Sequence, residues 1–167
     1  DNLNEIRSWL RGEKVFGWRP YLKAALMLKK DAAQISNQDI RKLESLVRRK
    51  ITKVMHCDIF QRDLGIDHDH YDIINTHFVA ESATSSKSAW KNAIANISRK
   101  VAPKGLLIMS ALLGAKRSYK VLQKQFPAVE LHESDIRREL LKNSFREVRI
   151  ATMKTEDFEN NYQGFAF

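Results

Sequence analysis

Polar residues end two short apolar runs in the middle of the chain, and residues in such places are candidates to bind a ligand. The first run, residues 54–57, ends at Asp58, and the second, residues 71–75, ends at Thr76. Continuous apolar runs are typical of strands in a parallel sheet that is buried on both faces. Ligands of such sheets bind at the carboxyl ends of the strands. We therefore expect Asp58 and Thr76 to face one ligand.

A strand–helix–strand unit is predicted to hold these residues in place. Residues 71–78 form its first strand, and Ser86 caps a helix with an inward apolar stripe of Trp90, Ile94, Ile97 and Val101. A Pro/Gly turn at residues 102–105 leads into the second strand, residues 105–113. Parallel strands need a crossover of this kind, which is usually a helix.

Further helices and strands are predicted on both sides of this unit. Helices are expected at residues 3–10, at 21–30, at 40–51 behind a Ser36–Asp39 capping box, and behind Ser134. Strands are expected at residues 53–57, 148–153 and 162–167. The segment 116–131 is ambiguous and is treated as irregular, because Tyr119, Val121 and Phe126 suit short strands while its Lys and Gln residues do not. This order predicts an α/β fold, a Rossmann-like, doubly wound and mostly parallel sheet. Its last strand is antiparallel, at the end of the sheet, and no domain boundary is seen in residues 1–167.

Composition is that of one globular domain with a core of its own. The chain has 167 residues, of which 43% are hydrophobic and 29% charged, and this balance argues against disorder. Its longest apolar run is far shorter than a membrane span. One cysteine excludes an internal disulfide, which favours a cytoplasmic location.

The formal net charge of +9 makes nucleic acid or an anionic substrate a conceivable partner. The basic residues, however, are spread along predicted helices, as at Arg41, Lys42, Arg137 and Arg138. That spacing is typical of solvated helix faces. No aromatic residues are interleaved with them as in RNA-binding surfaces, so we expect no nucleic-acid partner.

Residues that carry a family resemblance extend over nearly the whole chain. The most specific are Trp9-Leu10 in the first helix and the turn Phe16-x-Trp18-x-Pro20. Less specific ones are Cys57-Asp58, the run from Asp72 to Thr76, Pro103 with Gly105, and Tyr119. Together they resemble the class I S-adenosylmethionine-dependent methyltransferases. Within that class, the chain is similar to the nicotinamide, phenylethanolamine and indolethylamine N-methyltransferases and their bacterial relatives.

The resemblance implies S-adenosylmethionine as cofactor and assigns four residues to it. Asp58 would accept a hydrogen bond from the adenine amino group, while the Ile59 backbone N–H would meet a ring nitrogen. Backbone groups near Thr76 would hold the methionyl part, and Asn2 would contact the nucleoside. Alternatively, Asp58 and Asn2 could each simply cap the segment that follows.

Three residues are candidates for the acceptor site. Glu81 follows the 71–78 strand, where a carboxylate could orient a basic amine, although some relatives carry this acid at the position of Ala80. His77 could serve as a base. Tyr119 lies in the segment that lines the acceptor pocket of relatives. The alternatives are a solvated acid at a helix start for Glu81, and packing for His77 and Tyr119.

Two features of the family are missing from residues 1–167, namely the glycine-rich first turn and the ribose-binding acid of the second strand. The resemblance therefore implies a chain that lacks the N-terminal part and the first strands of the sheet. The first strand would pair with the 71–78 strand. Without it, that strand would have a bare edge and residues 53–57 would have no partner.

Other reactive side chains are expected to be structural. Asp67-His68-Asp69-His70 are of metal-ligand types, but they alternate in a polar loop, so no metal site is expected. Cys57 is expected in the core, as the end of a buried strand.

The function that follows is methyl transfer from S-adenosylmethionine to a small amine-like acceptor by in-line displacement, in a protein expected to be a monomer. The reaction needs alignment more than acid–base help, so no catalytic residue is named. Two alternatives stay open: a nucleic-acid methyltransferase, and a non-catalytic binding module with the same fold.

Overall fold

The computed structural model describes residues 2–13, 17–155 and 162–167. It divides into two compact units, Asp1–His56 and Cys57–Phe167. Phe16, the first residue of the predicted aromatic turn, lies outside the described residues. The single methyltransferase domain over residues 1–167 stays a prediction.

The amino-terminal unit is helical, as predicted. Its helices are α1 (Asn2–Leu10), α2 (Arg19–Met27) and α3 (Asn37–Lys50), with a 3₁₀ turn at Ala32–Gln34. The Ser36 hydroxyl accepts from the Asp39 N–H, and the Asp39 carboxylate accepts from the Ser36 N–H, which confirms the predicted capping box. These hydrogen bonds from Ser36 lower the pKa of Asp39 to about 2.

Trp9 is the buried anchor of this unit. Its indole N–H donates to Glu44 Oε1 over 3.0 Å, and the Arg48 guanidinium lies 4.9 Å from the ring centroid. The Trp18 ring packs 5.6 Å away. The two tryptophans that carried the resemblance are therefore joined to α3 by ring contacts and one hydrogen bond.

In the carboxyl-terminal unit, the described residues form six strands and two helices. They are β1 (Tyr71–His77), α4 (Lys87–Ser98), β2 (Val101–Leu113), β3 (Ser118–Val121), β4 (Lys124–Pro127), α5 (Glu133–Lys142), β5 (Thr152–Lys154) and β6 (Gly164–Ala166). The ambiguous segment 116–131 is thus a β3–β4 hairpin.

The main sheet has the order β1-β2-β6-β5. β1 pairs in parallel with β2, while β6 is antiparallel to both β2 and β5. It follows that β1, β2 and β5 run in one direction and only the last strand is reversed, which agrees with the predicted mixed sheet. β6 does not lie at the end of the sheet as predicted, because it bonds to a strand on each side.

One face of this sheet is covered by α4 and α5. Trp90 and Ile94 of α4 and Ile136 of α5 pack with Leu131, and the β2 residues Leu107 and Met109 pack against this cluster. On the opposite face Ile73, Leu106 and Ile108 alternate with those residues and are exposed. Among the described residues of this unit, helices lie on one face of the sheet, so the doubly wound arrangement stays a prediction.

Gly105 lies inside β2, where the register with β1 shifts, and it lets the two strands approach each other closely. The Pro/Gly turn predicted at residues 102–105 is therefore part of β2, which begins at Val101. A Cβ atom at Gly105 would lie 2.8 Å from the Ala102 carbonyl oxygen and 2.9 Å from that of Asp72. Both are backbone atoms, which cannot move aside without disturbing the parallel ladder. This close approach explains the glycine of the Pro-x-Gly signal.

Two strand predictions need correction. Residues 53–57 form no ladder with any described strand, and Cys57 is exposed instead of lying in the core. The carbonyl of Val54 accepts from the Arg7 side chain over 3.1 Å. In a strand, this carbonyl would accept from the backbone N–H of a neighbouring strand. β5 also begins later than predicted, since the Val148 carbonyl is bound by Arg137 Nη1 at 2.8 Å.

The start of α5 differs by two residues from the prediction. His132, and not Ser134, is the N-cap. The Asp135 carboxylate accepts from the His132 backbone N–H over 3.2 Å, which closes a capping box around His132. Ser86 was predicted correctly as the cap of α4, since its hydroxyl accepts from the Ala89 N–H.

Candidate functional site

The carboxyl end of β1 is joined to β2 by two hydrogen bonds. His77 Nδ1 lies 2.7 Å from Ser110 Oγ, and the Phe78 N–H donates to the Ser110 carbonyl over 2.9 Å. Phe78 has a φ of +53°, a left-handed conformation that is uncommon for an aromatic residue. Such backbone conformations cluster at functional sites. The sequence gives no sign of this turn, nor of Ser110 as the partner of His77.

Thr76 and His77 therefore lie together where the strand ends. Thr76 is opposite Met109 in the parallel ladder, and His77 is opposite Ser110. Because side chains alternate along a strand, Thr76 faces the helix-covered side and His77 the other side. Both residues contribute backbone groups to this strand end. These are the groups that are predicted to hold the methionyl part of the cofactor.

Glu81 lies just beyond this strand end, and only 1% of it is exposed. Its Oε1 atom accepts from the Leu112 backbone N–H over 3.2 Å and from Ser82 Oγ over 3.1 Å. Its carbonyl accepts from the Val129 N–H over 3.0 Å. Burial raises the pKa of the Glu81 carboxyl group. Glu81 thus connects the ends of β1 and β2 with the segment before α5, and it is not the solvated acid of the alternative prediction.

Tyr119 is half-buried in a cluster of aromatic rings. It stacks on Phe126 across the β3–β4 hairpin, with ring centroids 5.4 Å apart. It also belongs to a small core with Leu112 and Phe165. Phe165 in turn makes an edge contact with Phe78, at 5.6 Å. Phe165 therefore links the Tyr119 hairpin to the end of β1.

Asp58 begins a tight loop that precedes β1. Its Oδ1 atom accepts from the Phe60 N–H over 2.9 Å, and its carbonyl accepts from the Gln61 N–H over 3.2 Å. Oδ2 receives only a long contact of 3.4 Å from the Gln61 side chain. Asp58 is half-buried. The cap alternative is therefore correct for one carboxylate oxygen, while the other retains most of its acceptor capacity.

Ile59 offers a donor beside that acceptor. Among the residues that the structure describes, none accepts a hydrogen bond from the Ile59 backbone N–H. The Ile59 side chain packs against the core cluster under α4. An Asp58 oxygen with one long contact and the Ile59 N–H at the next residue form a pair that can recognise an edge with one donor and one acceptor.

An open cavity of about 360 Å³ borders this loop. It is lined by Phe60, Arg62, Asn92, Ala95, Asn96 and Arg99. The buried Asn96 side chain, 6% exposed, donates from Nδ2 to the carbonyls of Ile59 and Gln61. Sequence reasoning missed Asn96, although a polar residue next to the apolar stripe of α4 was the available signal.

Asn2 belongs to the other unit. It is the first residue of α1 and is exposed. Its predicted contact with the nucleoside stays a prediction.

The described residues contain neither a group of metal-ligand side chains nor a membrane-spanning helix. Between residues 2 and 155, without 14–16, and in 162–167, no three His, Cys, Asp or Glu side chains are grouped as metal ligands. In the same ranges no helix is long and apolar enough to cross a bilayer.

Several solved structures show limited similarity to this chain. The N-methyltransferase NodS from Bradyrhizobium japonicum WM9, in complex with S-adenosyl-L-homocysteine, is 17% identical with a TM-score of 0.49, over 77% of this chain and 60% of that chain. An S-adenosylmethionine-dependent methyltransferase from Clostridium acetobutylicum ATCC 824 is 12% identical with a TM-score of 0.47, over 78% and 71%. A DhpI–SAM–HEP complex is 12% identical with a TM-score of 0.44, over 77% and 62%.

These scores are too low to support an argument about the site, and this chain spans 60% of the length of the NodS chain. Among curated proteins no sequence matches. The sequence profile of the NNMT/PNMT/TEMT family, in contrast, matches residues 1–165. The chain therefore belongs to the NNMT/PNMT/TEMT family of S-adenosylmethionine-dependent methyltransferases, as its sequence resemblance predicted.

Proposed function

We propose that this protein transfers a methyl group from S-adenosylmethionine to the nitrogen of a small amine-like acceptor. Membership of the NNMT/PNMT/TEMT family over residues 1–165 is the observation that carries the proposal. The described residues contribute a second argument, because they fit one end of the cofactor. The identity of the amine is left open.

The Asp58–Ile59 pair fits the adenine edge of the cofactor. That edge presents an exocyclic amino donor next to a ring-nitrogen acceptor, and Asp58 Oδ2 and the Ile59 N–H supply the complementary acceptor and donor. The side chain of Asp58 is held by the Phe60 N–H, so little conformational entropy is lost on binding. We assign Asp58 and Ile59 to the nucleoside, the backbone near Thr76 to the methionyl part, and Asn2 to the nucleoside.

Around the acceptor we place His77, Glu81 and Tyr119. The Ser110 hydroxyl fixes the His77 ring at 2.7 Å, and the Phe78–Phe165 contact links this end of the sheet to the cluster around Tyr119. Aromatic walls suit a flat or cationic amine. Glu81 is 1% exposed, and its Oε1 atom is bonded to the Leu112 N–H. We therefore infer that it serves the acceptor site first by fixing β2 to the end of β1.

The chemistry that the cofactor supplies is a methyl group on a sulfonium, which is already a strong electrophile. The protein has to hold a neutral amine in line with that methyl group and to exclude water. Rigid strand ends suit this task, and the bonds of Ser110 to His77 and Phe78 provide such rigidity. No side chain is assigned as an obligatory base.

The test compares two aspartates that form the same type of turn. Asp58 accepts from the Phe60 N–H and Asp63 from the Gly65 N–H, each over 2.9 Å. Asp58→Ala and Asp63→Ala therefore remove the same type of turn hydrogen bond, but only the first removes the proposed adenine acceptor. Isothermal titration of the intact protein with S-adenosylhomocysteine measures the affinity of each.

We expect Asp58→Ala to weaken binding about tenfold or more, since a hydrogen bond to a charged group contributes roughly 1.5–3 kcal/mol. Asp63→Ala should bind within about twofold of wild type, because solvent-side contacts usually contribute under about 0.5 kcal/mol. Equal affinity of both variants and wild type would remove Asp58 from the site.

The net charge of +9 favours one alternative acceptor, a nucleic acid. Phosphate-driven binding weakens steeply with salt, whereas methylation of a small amine depends on it little. Methyl transfer measured between about 50 and 200 mM salt separates the two. A loss of activity by orders of magnitude across that range would favour nucleic acid.

A further inference from the structure

Asn96 is the most completely engaged polar side chain of α4, and it contacts the loop that we assign to the nucleoside. Its Nδ2 atom donates to the Ile59 carbonyl over 2.8 Å and to the Gln61 carbonyl over 2.9 Å. The Arg99 guanidinium donates to its Oδ1 atom. Because Arg99 is only a donor and the carbonyls only acceptors, the orientation of the amide follows from its partners.

The peptide group between Ile59 and Phe60 is thereby held from both sides. In a trans peptide the carbonyl and the N–H point in opposite directions. Here the Ile59 carbonyl is bound by Asn96, and the Phe60 N–H is bound by Asp58 Oδ1. Rotation of this peptide plane would break both bonds at once, so the position of the Asp58 carboxylate depends on Asn96.

Burial makes this dependence strong. Asn96 is 6% exposed, and Ile59 and Phe60 pack against the core cluster under α4. A carbonyl that loses its donor in such surroundings cannot easily find water instead, and leaving it unpaired costs more than the bond contributes. The loop would move to recover its hydrogen bonds, and Asp58 would move with it.

We propose that Asn96 is a positioning residue of the nucleoside site, which holds the Asp58–Gln61 loop so that Asp58 and the Ile59 N–H present a matched acceptor and donor to adenine. The proposal rests on the proposed function and extends it to a residue that does not touch the cofactor. It predicts that Asn96 affects discrimination between bases, and not merely stability.

The experiment compares Asn96→Asp with Asn92→Asp in the intact protein. Both substitutions add one negative charge on α4 beside the same cavity. Only the first replaces a donor to the loop by an acceptor, since Asn92 is exposed and one turn earlier. The measured quantity is the ratio of Kd values for S-adenosylhomocysteine and its 6-oxo analogue, S-inosylhomocysteine, which lacks the amino group and presents an N–H at the ring nitrogen.

For wild type and Asn92→Asp we expect at least tenfold preference for the adenosyl compound, because the analogue leaves buried polar groups unpaired. Asn96→Asp should reduce that preference several-fold. A purely structural role would weaken both ligands equally and leave the ratio unchanged, and an unchanged ratio in a folded Asn96→Asp protein overturns the proposal. Thermal melting reports folding.

Asn96→Ser is measured in parallel, since a buried carboxylate can prevent folding. Its hydroxyl retains one donor, so we expect a preference between those of wild type and Asn96→Asp, and a wild-type ratio in Asn96→Ser also counts against the proposal. Wild type that binds neither compound contradicts the proposed function itself. Wild type that binds both equally contradicts the role of Asp58, on which the role of Asn96 depends.

Discussion

At the scale of single residues, the side chain and backbone of the buried Glu81 connect three segments by hydrogen bonds. Its carboxylate accepts from the Leu112 N–H, and its backbone carbonyl accepts from the Val129 N–H. The raised pKa of its carboxyl group means that the folded protein favours the protonated acid more than the unfolded chain does. Stability from this group is therefore complete below its ordinary pKa of 4.5 and falls as the pH rises through the raised folded value.

Glu81→Gln should remove this pH dependence. The amide oxygen can still accept from the Leu112 N–H, while no charge has to be buried at neutral pH. We expect the variant to gain stability over wild type as the pH rises from about 4.5 to 7, as measured by urea unfolding at each pH. Glu130→Gln, at a nearby exposed position, is the control and should follow wild type. A constant difference between Glu81→Gln and wild type at all pH values would contradict this account.

The sequence was sufficient to select candidate residues here, but not to predict their burial or backbone conformation. Asp58 was predicted from its place after an apolar run, and Ile59 from the family resemblance; the roles of both stay predictions. Glu81 was expected near solvent, and its burial depends on Val129, which is 48 residues away along the chain and was in a segment of ambiguous structure. Phe78 was missed because a positive φ in an aromatic residue has no sequence signal.

At the scale of elements, the irregular start of the β1–β2 pairing depends on a glycine of β2 that has no room for a side chain. Gly105→Ala would place a methyl group 2.8–2.9 Å from two backbone oxygens. We expect a loss of roughly 1–3 kcal/mol in the free energy of unfolding, measured by chemical denaturation.

Gly17→Ala provides the matched control for that substitution. No heavy atom lies within 4 Å of a Cβ built at Gly17, so the change should be neutral or stabilise by up to about 1 kcal/mol. If Gly105→Ala were as harmless as Gly17→Ala, close approach to β1 would not be the reason for this glycine.

Elements with a strong local pattern were predicted well, and those that depend on partners were not. The capping box at Ser36 and the cap at Ser86 are local, and both were correct. The predicted strand at residues 53–57 has suitable side chains, but a strand exists only with a neighbour, and none of the described strands pairs with it. β5 is short because side chains outside the sheet bind the preceding backbone, as Arg137 does at Val148.

At the scale of the whole molecule, the sheet is held together through its last strand. β6 lies between β2 and β5 and bonds to both. A protein that ends after residue 161 would lose β6, and β5 would then have no partner in the described sheet. We expect such a protein to lose its cooperative thermal transition, because the core residue Ala166 and the ring of Phe165 are removed as well.

Circular dichroism melting of the truncated and intact proteins tests this expectation. Phe167→Ala serves as the control, since it keeps all three residues of β6 and removes only a half-exposed ring. It should melt within a few degrees of wild type. Cooperative melting of the truncated protein at the wild-type temperature would show that the sheet does not need β6.

The position of β6 also has a consequence for synthesis on the ribosome. Because β6 lies between β2 and β5, it can pair with them only after residues 164–166 have left the exit tunnel. Until then β2 and β5 have no strand between them. Nascent protein should therefore stay exposed to proteases and chaperones until this segment has emerged and paired.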